Sequence, residues 1–171
     1  KGDKSRFSFP LPLVNKNDCD LSFSGLKSSV RRQVDYLVEK QSGLYVNDQR
    51  DICASFQEAM KLIFENKTKK ALELFSKFSS QKEVSFSLAG GVAANETIRG
   101  SLNELCKELN VHFSAPPLDL CTDNGLMIAY AGAQIYLSGY EDNMGLSPRP
   151  RWPIDVDHQK SIGFGKRGRK V

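Results

Sequence analysis

The sequence has 171 residues, of which 40% are hydrophobic and 26% charged, and its formal net charge at pH 7 is +4. This composition is typical of one folded domain with a real core, and it excludes a disordered or low-complexity protein. No apolar run reaches the roughly 18 residues that a membrane helix needs, so we expect no membrane partner.

The start of the chain does not resemble a secretion signal. Residues 1–5 are polar, and no apolar segment follows them. We therefore expect a cytoplasmic protein. Since the sequence does not begin with methionine, we also expect that it starts inside a longer protein or after processing.

The four cysteines do not form a metal-binding or redox motif. Cys19, Cys53, Cys106 and Cys121 include no CxxC pair, which argues against a zinc knuckle or a thioredoxin-like site. Cys53 and Cys106 fall among apolar residues of predicted helices. We therefore expect reduced, mostly buried thiols.

The first half of the chain is predicted to be mainly helical. Alternating apolar residues and two prolines predict short extended pieces over residues 6–14. Apolar residues spaced by three or four predict a helix over residues 26–41, with Gly43 as its left-handed cap. A second helix is predicted from Asn47 or Asp48 to about residue 78. Its polar stretch over residues 65–70 leaves open one long helix or two with a break near Asn66.

The second half is predicted to alternate strands and helices. A β-rich run over residues 84–89 leads into two glycines and a third helix, and residues 111–115 form another strand before two prolines. A last helix is predicted from about Asp123 to Leu137, ended by Gly139. This order implies an α/β fold with a parallel portion of sheet, followed by an irregular basic tail over residues 140–171.

The glycine pair after the first predicted strand is the first candidate site. Gly90 and Gly91 allow a ligand to approach the backbone closely, and the following helix terminus is suited to phosphate. Asn95 can either cap that helix or face a nucleotide. The pattern is neither GxGxxG nor a P-loop, so it supports neither dinucleotide-binding nor Walker-type chemistry.

Asp123 marks the second candidate site, between a strand and the last helix. Its carboxylate can act as a hard metal ligand or as a helix cap, and one carboxylate does not decide between them. The chain has only two histidines, His112 and His158, without the spacing of a metal pair. The chain alone therefore cannot build a closed site of histidine and aspartate ligands.

Two further segments carry weaker signals. Ser24 is placed to cap the first helix, and Lys27 can reach an anion or remain solvated. Near the end of the sequence, a basic run can contact nucleic-acid phosphates or be a solvated terminus. The candidate nucleic-acid contacts in that run are Lys166, Arg167, Arg169 and Lys170.

Taken together, these segments resemble the tRNA N6-adenosine threonylcarbamoyltransferase family (bacterial TsaD), formerly described as sialoglycoprotein endopeptidases. The matching stretches follow the family order, and the resemblance spans roughly residues 3–170: residues 20–27, 54–59, 88–95, 117–129, 148–153 and 163–168.

The resemblance implies a two-lobed enzyme, of which residues 1–139 match the C-terminal, nucleotide-binding lobe. Such a lobe is ribonuclease-H-like and belongs to the actin, Hsp70 and sugar-kinase superfamily, with a mixed sheet flanked by helices. The family's HxxxH metal motif and Ser-Gly-Gly-His loop belong to an N-terminal lobe that is absent from this chain. We therefore expect a partial enzyme that is inactive alone.

The family roles transfer to four residues here. Asp123 matches the catalytic metal-ligand aspartate, Asn95 matches the asparagine that contacts the adenylate, and Gly90 and Gly91 match the pair lining the nucleotide pocket. The implied cofactor is one divalent metal per full-length subunit, iron or zinc, completed by histidines outside this chain. For Ser24 and Lys27 the resemblance implies only that they lie near the cleft.

The implied reaction transfers a threonylcarbamoyl group from threonylcarbamoyl-adenylate to N6 of the adenosine next to the anticodon of tRNA. The implied partners are tRNA, TsaB-like and TsaE-like proteins, and the N-terminal lobe. Three alternatives remain open at this point: a metallopeptidase, a non-catalytic module that binds tRNA or partners, and a small-molecule kinase of the same superfamily.

The missing histidine pair generates a direct prediction about metal binding. We expect the 171-residue chain alone to bind neither metal nor adenylate tightly, because Asp123 supplies a single ligand. Calorimetry with iron(II) or zinc measures this. Submicromolar metal affinity that disappears in Asp123→Ala would contradict the prediction.

Overall fold

A long helix organises the first part of the chain. The computed structural model describes residues 1–78, 83–141, 143, 145, 147 and 148. Contacts divide the chain into two units, Lys1–Asn124 and Gly125–Val171. The first unit contains helices α1 (Ser24–Gln41), α2 (Val46–Phe78) and α3 (Glu96–Glu108), with strands β1 (Ser85–Ser87) and β2 (His112–Ser114).

Helix α1 confirms the predicted helix but not its predicted end. The left-handed residue after α1 is Ser42, at φ 58° and ψ 25°, rather than Gly43. The Gln41 side chain explains the shift, since its amide nitrogen donates to the Gly43 carbonyl and to Asp48 on α2. These bonds fix the connection between the two helices one residue earlier than the glycine suggested.

Helix α2 is a single helix, which settles the alternative left open by its polar middle. It starts at Val46, slightly before the predicted Asn47 or Asp48. Asp48 accepts the backbone N–H of Tyr45, one half of a capping box. The polar stretch does not break the helix because its lysines bind a neighbouring loop. Lys67 Nζ donates to the Asp18 carbonyl at 2.7 Å, and Lys70 Nζ donates to the Val14 carbonyl at 2.6 Å.

The N-terminal arm, residues 1–18, lies along α2 and contains no strand. The extended pieces predicted over residues 6–14 are therefore wrong as strands. Pro10 and Pro12 have no N–H to donate, and the arm's polar groups bond to α2 instead. Gly2 is required here, since a Cβ on it would lie 2.0 Å from the Arg50 carbonyl oxygen on α2. Arg6 donates to Asp48 at 2.6 Å and to Asp51 at 2.7 Å.

The main core lies where the arm, α1 and α2 meet. It consists of Phe9, Leu26, Leu37, Ile52, Ala59 and Ile63. Burying one such side chain stabilises the fold by roughly 1.5–3 kcal/mol, whereas an exposed ion pair contributes about 0–1 kcal/mol. The apolar contacts therefore supply most of the stability of this unit.

The two strands form a small parallel sheet, as the strand–helix order predicted. Ser85 pairs with His112 and Ser87 with Ser114, and α3 connects the strands. The fold is therefore α/β. The described residues include no third strand, which a mixed sheet would need. Ile98, Leu102 and Cys106 are buried on α3, which packs against α2.

The second unit contains α4 (Gly125–Leu137), which confirms the predicted last helix. It begins two residues after the predicted start at Asp123. Gly139 follows it at φ 77°, as predicted for a left-handed terminating glycine. No helix in the described part of the chain is both long and apolar enough to cross a membrane.

The cysteine prediction is half correct. All four cysteines are free, and Cys106 and Cys121 are buried, but Cys19 and Cys53 are exposed. Cys53 is exposed because its neighbour Ile52 faces the core, and adjacent helical residues point about 100° apart. Burial raises the pKa of the Cys106 thiol.

The contact between the arm and α2 predicts a specific pH dependence. The hydrogen bond from Arg6 holds the pKa of Asp51 below its ordinary value of 3.8. The pKa of Asp48 is lowered as well, first by Gln41 and then by Arg6. A lowered folded-state pKa stabilises the fold above pH 3.8, and this contribution is lost as the pH falls further.

We therefore expect Arg6→Gln to lower the free energy of unfolding at pH 7, and the difference from wild type to shrink as the pH falls below 3.8. Urea unfolding followed by circular dichroism between pH 7 and pH 3 measures both quantities. Arg31→Gln, on the exposed face of α1, is the control. A difference that stays constant across this range would contradict the assignment.

Candidate functional site

The turn after β1 has a backbone that only glycine adopts readily. Gly90 lies at φ 77° and ψ −176°, a region that side-chain-bearing residues avoid. The φ angle of Gly91 is not in this left-handed region, and Gly91 begins a short 3-10 turn, Gly91–Ala94. Apart from the glycine and its two chain neighbours, no atom lies within 4 Å of a Cβ placed on either residue, so the backbone here faces open space.

Asn95 caps α3, which was one of its two predicted roles. Its side-chain oxygen accepts the N–H groups of Thr97 at 3.1 Å and Ile98 at 3.2 Å. Its amide nitrogen makes no hydrogen bond to any described residue, so a second role as a donor is compatible with the cap. The N-terminus of α3 is less suited to an anion than predicted, because the Asn95 side chain already accepts two of its N–H groups and Glu96 adds negative charge.

Gly91 and Asn95 open onto a pocket of about 390 Å³ between the glycine turn and α2. Its other walls are mainly apolar: Cys53, Phe56, Gln57, Met60, Val92 and Ile98. Gln57 also donates a hydrogen bond to Thr97, which joins α2 to the start of α3. The sequence did not identify the α2 residues as site residues, although the Ala54–Ala59 stretch carried part of the family resemblance.

Lys27 lies in a neighbouring apolar groove of about 510 Å³ between α1 and α2. This groove shares Cys53, Phe56 and Met60 with the pocket of Gly91 and Asn95. Lys27 therefore lines a groove that adjoins that pocket. Ser24 does not cap α1, contrary to one prediction. It is the first helical residue, and Phe23 before it makes no side-chain cap.

Asp123 lies in the segment that follows β2. This segment passes through Pro116 and Pro117 and a 3-10 turn, Leu118–Leu120, to the buried Cys121. Asp123 is exposed and is not among the residues that line the pocket of Gly91 and Asn95. Since α4 begins at Gly125, Asp123 does not immediately precede that helix, which disfavours the capping role.

One side chain joins the two candidate segments. Arg99 on α3 donates to the Ala93 carbonyl in the glycine turn and to Pro116 and Cys121 in the segment before Asp123. Sequence patterns do not single out Arg99, because an arginine in the first turn of a helix carries no local signal of such long-range contacts.

The described residues do not form a metal site by themselves. No group of three or more histidine, cysteine, aspartate or glutamate side chains in this part of the chain could hold an ion. Asp123 offers a single carboxylate, and His112 is exposed on β2. The donor set therefore fits one ligand of a shared site and not a closed one.

Comparison with known proteins identifies the family. A family profile described as tRNA N6-adenosine threonylcarbamoyltransferase (TsaD) matches residues 1–130. Relatives with the same name include a Ruegeria sp. protein, 48% identical over 99% of this chain and 46% of its own length. The Ruegeria pomeroyi relative is 47% identical over 100% of this chain and 47% of its own length. A Paracoccus denitrificans relative is 47% identical over 99% and 46%, respectively.

The chain belongs to the tRNA N6-adenosine threonylcarbamoyltransferase family.

The chain spans about half the length of the curated relatives that it matches. For this member of the threonylcarbamoyltransferase family, the functional roles of six residues remain predictions: Gly90, Gly91, Asn95, Asp123, Ser24 and Lys27. The tail residues Lys166, Arg167, Arg169 and Lys170 lie outside the described residues.

The backbone at Gly90 generates a stability prediction. Gly90→Ala forces a side chain into a region that costs about 1–3 kcal/mol, so we expect the free energy of unfolding to fall by that amount. Urea unfolding of the 171-residue chain measures the change. Gly91→Ala, with ordinary φ and open space around it, is the matched control and should stay within about 1 kcal/mol of wild type. Equal effects of both substitutions would contradict the assigned turn.

Proposed function

We propose that this chain supplies one lobe of a transferase that modifies tRNA. The reaction moves a threonylcarbamoyl group from threonylcarbamoyl-adenylate to N6 of the adenosine next to the anticodon, with release of AMP. The similarity of nearly the whole chain to proteins named tRNA N6-adenosine threonylcarbamoyltransferase is the observation that carries the proposal.

In this proposal the pocket beside the glycine turn holds the nucleotide part of the adenylate. Phe56 and Met60 provide an apolar wall suited to a planar base, and the exposed backbone at Gly91 permits close approach. The amide nitrogen of Asn95 then donates to the ligand while its oxygen keeps capping α3. One side chain thereby couples the helix terminus to the bound nucleotide.

The chemistry explains why positioning is the main task of these residues. An amine attached to an aromatic ring is a weak nucleophile, because its lone pair is delocalised into the ring. Holding the amine beside the carbamoyl carbon removes the entropic cost of a bimolecular encounter. The new bond joins N6 to that carbon, the bond to the AMP phosphate oxygen breaks, and AMP leaves with that electron pair. The nitrogen loses one proton to solvent water.

Asp123 is proposed as one ligand of a divalent metal, iron or zinc, whose histidine ligands lie outside this chain. When bound, such a metal polarises an acyl or phosphoryl oxygen and stabilises developing negative charge. The exposure of Asp123 is compatible with sharing its carboxylate with groups beyond this chain.

The proposal extends to the architecture and the partners of the enzyme. The small parallel sheet and its helices would be part of a ribonuclease-H-like lobe that works with an N-terminal lobe. TsaB-like and TsaE-like proteins would assist, and the basic run over residues 166–170 would contact tRNA phosphates. The proposed compartment is the cytoplasm, where tRNA is available as substrate. The names of the relatives do not favour a metallopeptidase or a non-catalytic binding module.

A hybrid enzyme tests the proposed function with this chain intact. In the hybrid, residues 1–171 replace the matching segment of the Ruegeria pomeroyi relative, which aligns with the whole chain. We expect the hybrid to form threonylcarbamoyladenosine in tRNA, measured by mass spectrometry of digested tRNA. A correctly folded hybrid that binds its partners but forms no product would contradict the proposal.

Two substitutions in the hybrid separate binding roles from structural roles. Asn95→Asp keeps a good helix cap but removes the amide donor, so we expect unchanged stability and about 10- to 100-fold lower kcat/KM. Asp123→Asn should abolish detectable product, whereas Asp119→Asn, also exposed in the same segment, should not. Full activity of Asn95→Asp would show that Asn95 acts only as a cap.

A further inference from the structure

Arg99 connects the two segments that carry the predicted site residues. It lies in the first turn of α3, and its side chain is half-buried. Nε donates to the Ala93 carbonyl at 2.9 Å, and Nη2 donates to the Pro116 carbonyl at 2.7 Å and to Cys121 Sγ at 3.1 Å. Ala93 is two residues from Asn95, and Cys121 is two residues from Asp123.

The parallel strands bring these segments to the same edge of the sheet. Ser87 and Ser114, the last residues of β1 and β2, are paired, and the Leu88 N–H donates to the Ser114 carbonyl at 2.9 Å. Both segments therefore leave the sheet at one level, where ligands bind in open α/β sheets. Beyond that last backbone bond, the Arg99 side chain hydrogen-bonds to both segments.

A guanidinium group suits this task better than any other side chain. It is planar, and its N–H donors point in fixed directions, so acceptors on two segments are held at a set spacing. Two of the three acceptors are backbone carbonyls and the third is the Cys121 sulfur, and no carboxylate of the described residues lies within ion-pair distance of Arg99. The group is therefore committed to backbone and thiol acceptors, which a lysine ammonium cannot match in geometry.

We propose that Arg99 is a positioning residue that sets the distance between the nucleotide-contacting turn and the Asp123 segment. The inference rests on the proposed function and adds to it a residue that touches neither substrate nor metal. A displacement of about 1 Å between groups that act together can cost about 100-fold in rate. Loss of the guanidinium fork should therefore lower turnover more than it weakens nucleotide binding, because the pocket of Gly91 and Asn95 remains.

The test uses Arg99→Lys and Arg99→Met in the hybrid enzyme, with Arg32→Lys and Arg32→Met on the exposed face of α1 as matched controls. We expect both Arg99 variants to lose about 10- to 100-fold in kcat with a smaller change in the KM for the adenylate, and the controls to behave as wild type. A merely structural role would instead reduce the folded fraction and leave the kcat of folded enzyme unchanged.

Hydrogen exchange of the same variants separates this inference from the proposed function, because it does not require turnover. We expect amides of residues 90–95 and 118–123 to exchange faster together in Arg99→Lys, while the Arg32→Lys control leaves exchange in both segments unchanged. If the parent hybrid makes no product, the proposed function fails, but the exchange result still shows whether Arg99 couples the glycine turn to the Asp123 segment. Wild-type kcat in folded Arg99→Lys, or faster exchange in only one segment, would overturn the inference.

Discussion

Packing against α2 is the constraint on which the rest of the first unit depends. The N-terminal arm lies along one side of this helix, held by Gly2, Arg6 and the buried Lys67. On another side α3 packs against it, and hydrogen bonds from Gln57 to Thr97 and from Ser101 to Glu65 join the two helices. The orientation of α3, and with it the glycine turn, thus follows from the length and continuity of α2.

The sheet adds little to the stability of the fold, but it determines where the candidate site segments lie. Two strands of three residues are marginal alone, and their side chains are at most half-buried. Their parallel pairing nevertheless brings the ends of β1 and β2 to the same edge. The candidate site is therefore set by short strands, a constrained Gly90 and the Arg99 fork, while the packed helices behind them supply rigidity.

The sequence predicted the helices well because their apolar spacing is a repeated signal that tertiary contacts reinforce. It predicted the glycine turn because few residues other than glycine adopt the backbone of Gly90. It failed in the arm, where the alternating residues of 6–14 resembled strands but bond to α2. It also misplaced the end of α1, where the side chain of Gln41, and not the local preference for Gly43, decides the geometry.

The sequence proposed the residues of the candidate site but not the contacts that join them. Asn95 and Asp123 were identified from local patterns, and the two alternatives for Asn95 became compatible roles once its oxygen and nitrogen were considered separately. Arg99 and the α2 wall with Phe56 were missed because their importance arises from contacts distant in sequence. Such contacts leave no periodic or motif-like pattern to read.

In the proposed mechanism the glycine turn and the Asp123 segment act on one bound adenylate. A crystal structure of the hybrid enzyme with a non-reactive threonylcarbamoyl-adenylate analogue would test this. We expect one ligand within hydrogen-bonding distance, roughly 2.7–3.2 Å, of the Asn95 amide nitrogen, with the Asp123 carboxylate facing the same cavity. A ligand bound away from Asn95, or an Asp123 side chain directed to the opposite face, would contradict it.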